Sequence, residues 1–157
     1  MEIKMNNSNS NAAKLADLTF HLLEDCHQKE MRLAERYGLT PSEFRCLRLF
    51  NLGEVVNNKD LAKRLNLSPG RLTRIVNGLV EKGYTNREIA ELDRRNMRVT
   101  LSGKGEEMVS QLNKAYVNIH KEILEDVDVS IHSDLISGMN QLLSALRKWM
   151  NKNEEEI

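Results

Sequence analysis

Aromatic residues, cysteines and prolines are all scarce in this sequence. Phe, Trp and Tyr make up 4% of the 157 residues, so aliphatic side chains and methionine have to fill the core. Two cysteines are too few for a disulfide scaffold, and no CxxC motif is present. The two prolines, Pro41 and Pro69, both stand where a helix is predicted to begin. This composition favours a mainly α-helical protein of a reducing compartment.

Long apolar runs and a net charge are missing as well. No segment approaches the roughly 20 apolar residues of a spanning helix, and no secretory signal is evident, so we expect a cytoplasmic protein without a membrane partner. The 23 basic and 23 acidic residues cancel overall but not locally. Residues 58–105 hold eleven Lys and Arg against five acids, which leaves the rest of the chain acidic. A basic segment in a neutral chain indicates a polyanionic partner.

The first predicted helix, residues 12–37, has two apolar stripes about 100° apart. One contains Leu15, Leu18 and Leu22, and the other contains Phe20 and Leu23. A surface helix needs only one apolar stripe, so two stripes indicate burial on two sides, one of them against a partner chain. The polar residues before this helix, 1–11, are predicted to form a flexible arm.

The last predicted helix carries the seam of a helix that packs lengthwise on another. Its apolar positions alternate in steps of four and three residues up to Trp149. We therefore expect dimerisation helices over 12–37 and 106–151, followed by an acidic tail, 152–157. The candidate dimerisation residues are Leu15, Leu18, Leu22, Leu135, Met139, Leu142, Leu146 and Trp149.

Between these helices, residues 38–105 have the pattern of a winged helix-turn-helix. A short helix ends near Leu65, and a second helix begins after Ser68 and ends at Lys82-Gly83. The apolar side chains of this second helix follow steps of three and one, so its polar side chains must point away from the core. Two short helices joined by a tight turn, with a basic face on the second, are typical of a DNA reader.

The residues expected to contact DNA lie on the second helix and on a hairpin that follows it. Arginine can bind guanine through two hydrogen bonds or pair with phosphate, and a helix start favours phosphate. The hairpin, with arms 84–89 and 97–101, brings arginines to a tip that can enter a minor groove, and Asp93 can fix one of them. The candidate DNA-binding residues are Ser68, Gly70, Arg71, Thr73, Arg74, Asn77, Arg94 and Arg95.

The order of these elements resembles the MarR family of bacterial transcription regulators. The resemblance covers about residues 12–150 and is carried by Leu72-Thr73-Arg74, by Asp93-Arg94-Arg95 and by Leu101-Ser102-Gly103-Lys104-Gly105. It implies a homodimer that binds a pseudo-palindromic operator in double-stranded DNA. It also implies a repressor that a small lipophilic or phenolic effector releases, with a pocket near the first, second and fifth helices. One departure is Ser102, where the family usually has threonine.

Other chemistries have weaker support in the sequence. His21 and His27 lie about 120° apart on a helix, so they do not form one metal site, and we expect no cofactor and no metal. No cation is expected beside Cys26, which indicates an inert thiol. No catalytic motif is present, so we expect no enzyme. The alternative that stays open is a dimeric winged-helix protein-interaction module that does not bind DNA.

Overall fold

A computed structural model describes residues 7–89 and 97–154 of the chain. The chain divides into two compact units, Met1–Ser110 and Gln111–Ile157, and the fifth helix runs from the first into the second. The architecture is mainly helical with a small antiparallel sheet, as the sequence predicts. The elements in chain order are α1 (Asn7–Arg36), α2 (Pro41–Arg48), β1 (Val55–Asn57), α3 (Asn58–Leu65), α4 (Pro69–Glu81), β2 (Thr85–Ile89), β3 (Met97–Leu101), α5 (Gly103–Glu125), a single 3-10 turn (Val129–Ile131) and α6 (His132–Glu154).

The turn from α1 to α2 is fixed by local hydrogen bonds. Gly38 adopts a positive φ of 66°, which ends α1 without the steric cost that a side chain would add. At the start of α2 the Thr40 side chain accepts a hydrogen bond from the Glu43 amide, and the Glu43 carboxylate accepts one from the Thr40 amide. This capping box and Pro41 in the first turn explain why α2 begins here.

Helices α3 and α4 form the helix-turn-helix. The Asn57 side chain accepts a hydrogen bond from the Asp60 amide at 2.7 Å and so caps α3. Asn66 adopts a left-handed conformation with φ 52°, which ends α3 and leaves a short turn before α4. The apolar face of α4 is fully buried through Leu72, Val76 and Leu79. The opposite face of α4 is therefore fixed outward.

The sheet has three strands in the order β1-β3-β2, all antiparallel. Val99 in the central strand is fully buried and lies opposite Val56 on one side and Arg87 on the other. Residues opposite each other in an antiparallel pair share a face of the sheet. Val56 and Val99 are therefore buried on one face of the sheet, and Arg87 leaves the sheet on that same side although its side chain reaches solvent.

The start of α5 is bound to the end of α4 by the residues of the Leu-Ser-Gly-Lys-Gly motif. The Ser102 hydroxyl donates to the Gly83 carbonyl oxygen at 2.6 Å, and the Lys104 ammonium donates to the Lys82 carbonyl oxygen at 2.8 Å. Gly105 packs so closely that a Cβ there would collide with the backbone oxygen of Tyr84. The motif therefore attaches the start of α5 to the end of α4, and it also caps α5.

The second unit contains the rest of α5, the 3-10 turn and α6. The His132 ring is 2.9 Å from the Val127 carbonyl oxygen and 3.1 Å from that of Leu124, which ties the start of α6 to the end of α5. The Asp128 carboxylate accepts a hydrogen bond from the Ser130 amide, and this bond lowers the pKa of Asp128. The predicted seam of α6 is exposed in the single chain along its length.

Four sequence-based boundaries differ from the structure. Helix α1 begins at Asn7 and not at Ala12, so the predicted arm 1–11 is partly helical, because the polar residues from Asn7 continue the helix that the apolar stripes define. Helix α6 continues to Glu154, into the predicted tail 152–157. The second helix, which the sequence pattern predicts to run to about Phe50, ends at Arg48, and the first hairpin arm begins at Thr85 and not at residue 84.

Strand β1 is not predicted by the sequence pattern. Only three residues form it, Val55–Asn57, and just one of them, Val56, is buried. A strand this short has too few residues to show the alternation that identifies strands in a sequence. The structure therefore has a three-stranded sheet where the sequence predicts a two-stranded hairpin.

Candidate nucleic-acid interface

The exposed face of α4 is the centre of the candidate interface. Arg71 and Arg74 are exposed, while Thr73 and Asn77 are half-buried on the flank of this face beyond Arg74. The Thr73 hydroxyl donates to the Pro69 carbonyl oxygen at 2.9 Å, so it is directed along the helix. Because the opposite face of α4 is buried, packing fixes both arginines in an outward direction. The fold thus presents two guanidinium groups on one exposed helix surface.

The N-terminus of α4 differs from its prediction in one detail. Ser68 occupies the N-cap position, but its side chain makes no capping hydrogen bond. The first turn contains no acidic residue, and a Cβ at Gly70 would meet no atom within 4 Å. Packing therefore does not require glycine at position 70, and the open helix start can accept an anion through its amide groups.

The wing is the hairpin formed by β2 and β3, and the structure describes its two strands but not its tip. Asp93, Arg94 and Arg95 lie outside the described residues, so their role stays a prediction. Within the described strands, Arg98 is exposed on β3 and lies opposite Glu88, on the face away from the core. Arg87 is exposed on β2, and its guanidinium donates to the side-chain amide oxygen of Asn77 at 2.5 Å. Arg87 is one of the eleven basic residues of 58–105, but the sequence pattern does not predict this contact.

Ion pairs reduce the positive charge that the sequence alone suggests. The Arg64 guanidinium lies 2.7 Å from the Glu54 carboxylate, and this hydrogen bond lowers the pKa of Glu54 to about 2 and raises that of Arg64. Lys82 pairs with Glu43 at 2.6 Å. Arg87, by contrast, donates to a neutral amide, so no carboxylate offsets its charge in this contact. Arg71 and Arg74 on α4 and Arg87 on β2 therefore remain as exposed cations near one another that can attract a polyanion.

The cysteines and histidines do not form a second site within the described ranges. Burial raises the pKa of the Cys46 thiol to about 12, and the nearby Glu43 carboxylate acts in the same direction. The expectation of no cation near Cys26 was wrong, because the Lys29 ammonium lies 3.9 Å from its sulfur, one helical turn away. Among residues 7–89 and 97–154, no group of three metal-binding side chains is present.

The candidate dimerisation residues are exposed in the single chain. Leu15, Leu18 and Leu22 are 45%, 68% and 52% exposed on α1. The α6 residues are also exposed, namely Leu135, Met139, Leu142, Leu146 and Trp149. Among the described residues, no helix is long and apolar enough to cross a membrane. These candidate dimerisation residues are therefore accessible to solvent in one copy of the chain, whereas Leu33 and Ala34 near the end of α1 are buried.

A cavity of about 730 Å³ lies where α1 meets the turn to α2. Met31 and Leu39 supply apolar walls, while Arg32 and Lys82 supply positive charge and Glu35 supplies negative charge. Its size is within the range of small-molecule sites. The family resemblance implies an effector pocket near helices one, two and five, whereas this cavity joins α1 and the α1–α2 turn to the end of α4.

Comparisons with known proteins agree with this arrangement. The sequence model of the MarR family matches residues 39–97. The HTH-type transcriptional regulator SarZ of Staphylococcus saprophyticus is 26% identical over 122 residues, which cover 78% of this chain and 77% of SarZ.

Two solved structures show the same fold. A point mutant of MarR from E. coli superposes with a TM-score of 0.72 and 21% identity, over 82% of this chain and 96% of that one. The S. aureus MepR–DNA complex gives a TM-score of 0.67 and 16% identity, over 84% of this chain and 97% of that one. The predicted winged-helix fold is therefore confirmed.

Proposed function

Because this chain belongs to the MarR family of transcription regulators, we propose that it is a homodimeric repressor that binds a pseudo-palindromic operator and is released by a small effector. The observation that carries the DNA-binding part is the exposed basic face of α4, opposite a fully buried apolar face. The similarity of the fold to that of MepR, whose structure contains DNA, supports the same use of this helix.

In this proposal, α4 enters the major groove and the wing contacts the adjacent minor groove. Arg71 and Arg74 contact base edges or phosphates, and the open start of α4 accepts a phosphate. Arg94 and Arg95 insert at the wing tip, with Asp93 fixing their geometry. Ser68, Gly70, Thr73 and Asn77 complete the contact surface of α4. A regulator of this kind acts where the chromosome is, so we propose a cytoplasmic location.

The proposed dimer is supported by the exposed apolar residues of α1 and α6. Monomeric proteins rarely leave large apolar patches in contact with water. A two-fold dimer would cover these side chains and would present two copies of α4 to successive major grooves, about 34–36 Å apart. The operator would then have two related half-sites.

The effector part of the proposal is supported by the cavity at the α1–α2 turn. Lys82 lines this cavity and also donates to the Gly38 carbonyl oxygen at 2.9 Å and to the Glu43 carboxylate. A phenolic molecule that displaced these contacts would disturb the attachment of α4 to the α1–α2 turn. Linkage requires that such an effector bind the free protein more tightly than the DNA-bound protein.

A reporter gene placed behind the DNA that flanks the coding region tests the repressor function. We expect loss of the gene to raise reporter expression and re-introduction of the wild-type gene to lower it. Re-introduction of the Arg71→Ala, Arg74→Ala variant should fail to do so. Equal repression by the wild type and this variant would favour the protein-interaction alternative. Addition of a hydroxybenzoate series to the purified complex then tests release, and release should weaken when Met31→Trp fills the cavity.

A further inference from the structure

The contact between Arg87 and Asn77 joins strand β2 of the hairpin to helix α4. Arg87 lies on β2 and Asn77 on α4, ten residues earlier in the chain, and the guanidinium donates to the amide oxygen at 2.5 Å. The strand register explains the contact. Arg87 lies opposite the buried Val99, so its side chain leaves the sheet on the face that packs toward α4.

This contact determines how the Asn77 amide is oriented. Arginine has five N–H donors and no acceptor, so only the amide oxygen of Asn77 can face it. The amide nitrogen of Asn77, with its two donors, is therefore on the other side of the group. Asn77 follows Arg74 and Thr73 by three and four residues, which places it one turn further along the same face of α4.

We propose that Arg87 is a positioning residue for DNA recognition, which holds Asn77 so that its amide nitrogen donates to an acceptor on a base edge. This inference rests on the proposed use of α4 in the major groove. Asparagine usually recognises adenine by accepting from N6 and donating to N7 at once. Because Arg87 already donates to the Asn77 oxygen, one of the two lone pairs of that oxygen is used, and the two free N–H donors become the main contribution of Asn77 to a base edge. The acceptors N7 and O6 of guanine are the groups that fit the remaining donors best.

The first test measures whether the two residues act as a unit. The probe is a DNA duplex selected by the wild-type protein from a randomised library, and binding is followed by fluorescence anisotropy. We expect Arg87→Ala and Asn77→Ala each to weaken binding by about tenfold, and the double variant to be no weaker than the weaker single variant. If the double variant lost affinity by the product of the two single-variant factors, the two residues would act independently and the inference would be wrong.

Arg98→Ala is the matched control, because Arg98 is on the same hairpin but on the opposite face. It should lower the affinity and the salt dependence, and its effect should multiply with that of Asn77→Ala. If Arg98→Ala coupled to Asn77→Ala as strongly as Arg87→Ala does, the coupling would not come from the Arg87 contact, and the inference would be wrong. Melting temperatures identify any variant that does not fold, and Arg87→Met, which keeps the aliphatic stem, then replaces Arg87→Ala.

The second test measures base preference with Asn77→Asp. Aspartate still accepts the hydrogen bond of Arg87, so the wing stays in place. It has no N–H donors, so the side chain can only accept a hydrogen bond from a base. A repeated library selection should shift one position of each half-site from guanine toward cytosine, whose N4 group is a donor. An unchanged preference would contradict the proposed role. If the wild-type protein enriches no sequence from the library, the proposed function is wrong. If it enriches a sequence but the effects of Arg87→Ala and Asn77→Ala are independent, only this inference is wrong.

Discussion

The carboxylate of Glu43 and the ammonium of Lys82 are 2.6 Å apart and join the start of α2 to the end of α4. The Glu43 side chain is 7% exposed and that of Lys82 is 36% exposed, so the pair is largely shielded from water on the Glu43 side. Glu43 also accepts a hydrogen bond from the Thr40 amide at 2.8 Å. One buried carboxylate therefore links the α1–α2 turn to the helix that carries the candidate DNA contacts.

Replacing Lys82 should destabilise the fold more than replacing Glu43. Lys82→Met leaves the buried Glu43 carboxylate without its cation, and we expect a loss of about 2 kcal/mol in the free energy of unfolding. Glu43→Gln keeps an acceptor for the Thr40 amide and should cost about 1 kcal/mol. Urea denaturation at a fixed protein concentration measures both, with Lys63→Met on the exposed surface of α3 as control. A wild-type midpoint for Lys82→Met would contradict this explanation.

Two glycines at the start of α5 should respond in opposite ways to alanine. Gly105→Ala places a Cβ against the backbone oxygen of Tyr84, which cannot move without shifting β2, so the variant should be clearly destabilised. Gly103→Ala meets no atom within 4 Å and should be neutral or more stable by up to about 1 kcal/mol, because alanine favours helices. Thermal unfolding compares the two. Equal melting temperatures would mean that Gly105 is not packed as described.

Replacing an arginine of α4 and replacing the arginines of the wing should change DNA binding in different ways. Arg74→Ala should weaken operator binding and relax base preference, by about 1–3 kcal/mol if Arg74 makes a two-bond base contact. Replacing Arg94 and Arg95 together with alanine should weaken binding to all sequences more evenly and make the salt dependence shallower. Anisotropy titrations on operator and scrambled DNA at several salt concentrations separate these results. Wild-type binding by the wing variant would show that the wing tip does not contact DNA.

Charged residues in the seam of α6 should disrupt the proposed dimer. Leu142 and Leu146 are 39% and 46% exposed in the single chain, and a partner copy would have to desolvate glutamates placed there. Leu142→Glu with Leu146→Glu should therefore give monomeric or unfolded protein, because obligate dimers rarely have stable monomers. Light scattering should give twice 18.1 kDa for the wild type. A stable wild-type monomer would rule out the dimer and the symmetric operator.

Local signals made α4 and its surroundings predictable from the sequence. The spacing of Leu72, Val76 and Leu79 fixes the buried face of α4. Thr40, which caps α2, and Asn66, which ends α3, are residue types that favour these positions. Periodicity and capping depend on neighbours within one or two turns, which a sequence displays directly.

Contacts between distant residues were not predictable in this way. Glu43 and Lys82 are 39 residues apart, and the Arg87–Asn77 contact depends on the register of the hairpin. The missing capping bond of Ser68 shows the same limit, because residue type specifies the cap position but not the rotamer.

Footprinting of the DNA that flanks the coding region tests the central claim most directly. Hydroxyl radicals cleave DNA where protein does not cover it, so the cleavage pattern shows how many copies of α4 contact the duplex. Wild-type protein should protect two related patches about one helical turn apart, roughly 34–36 Å, on a pseudo-palindrome. Protection of a single isolated half-site, or no protection at concentrations where light scattering shows a dimer, would contradict the proposed two-fold DNA reader.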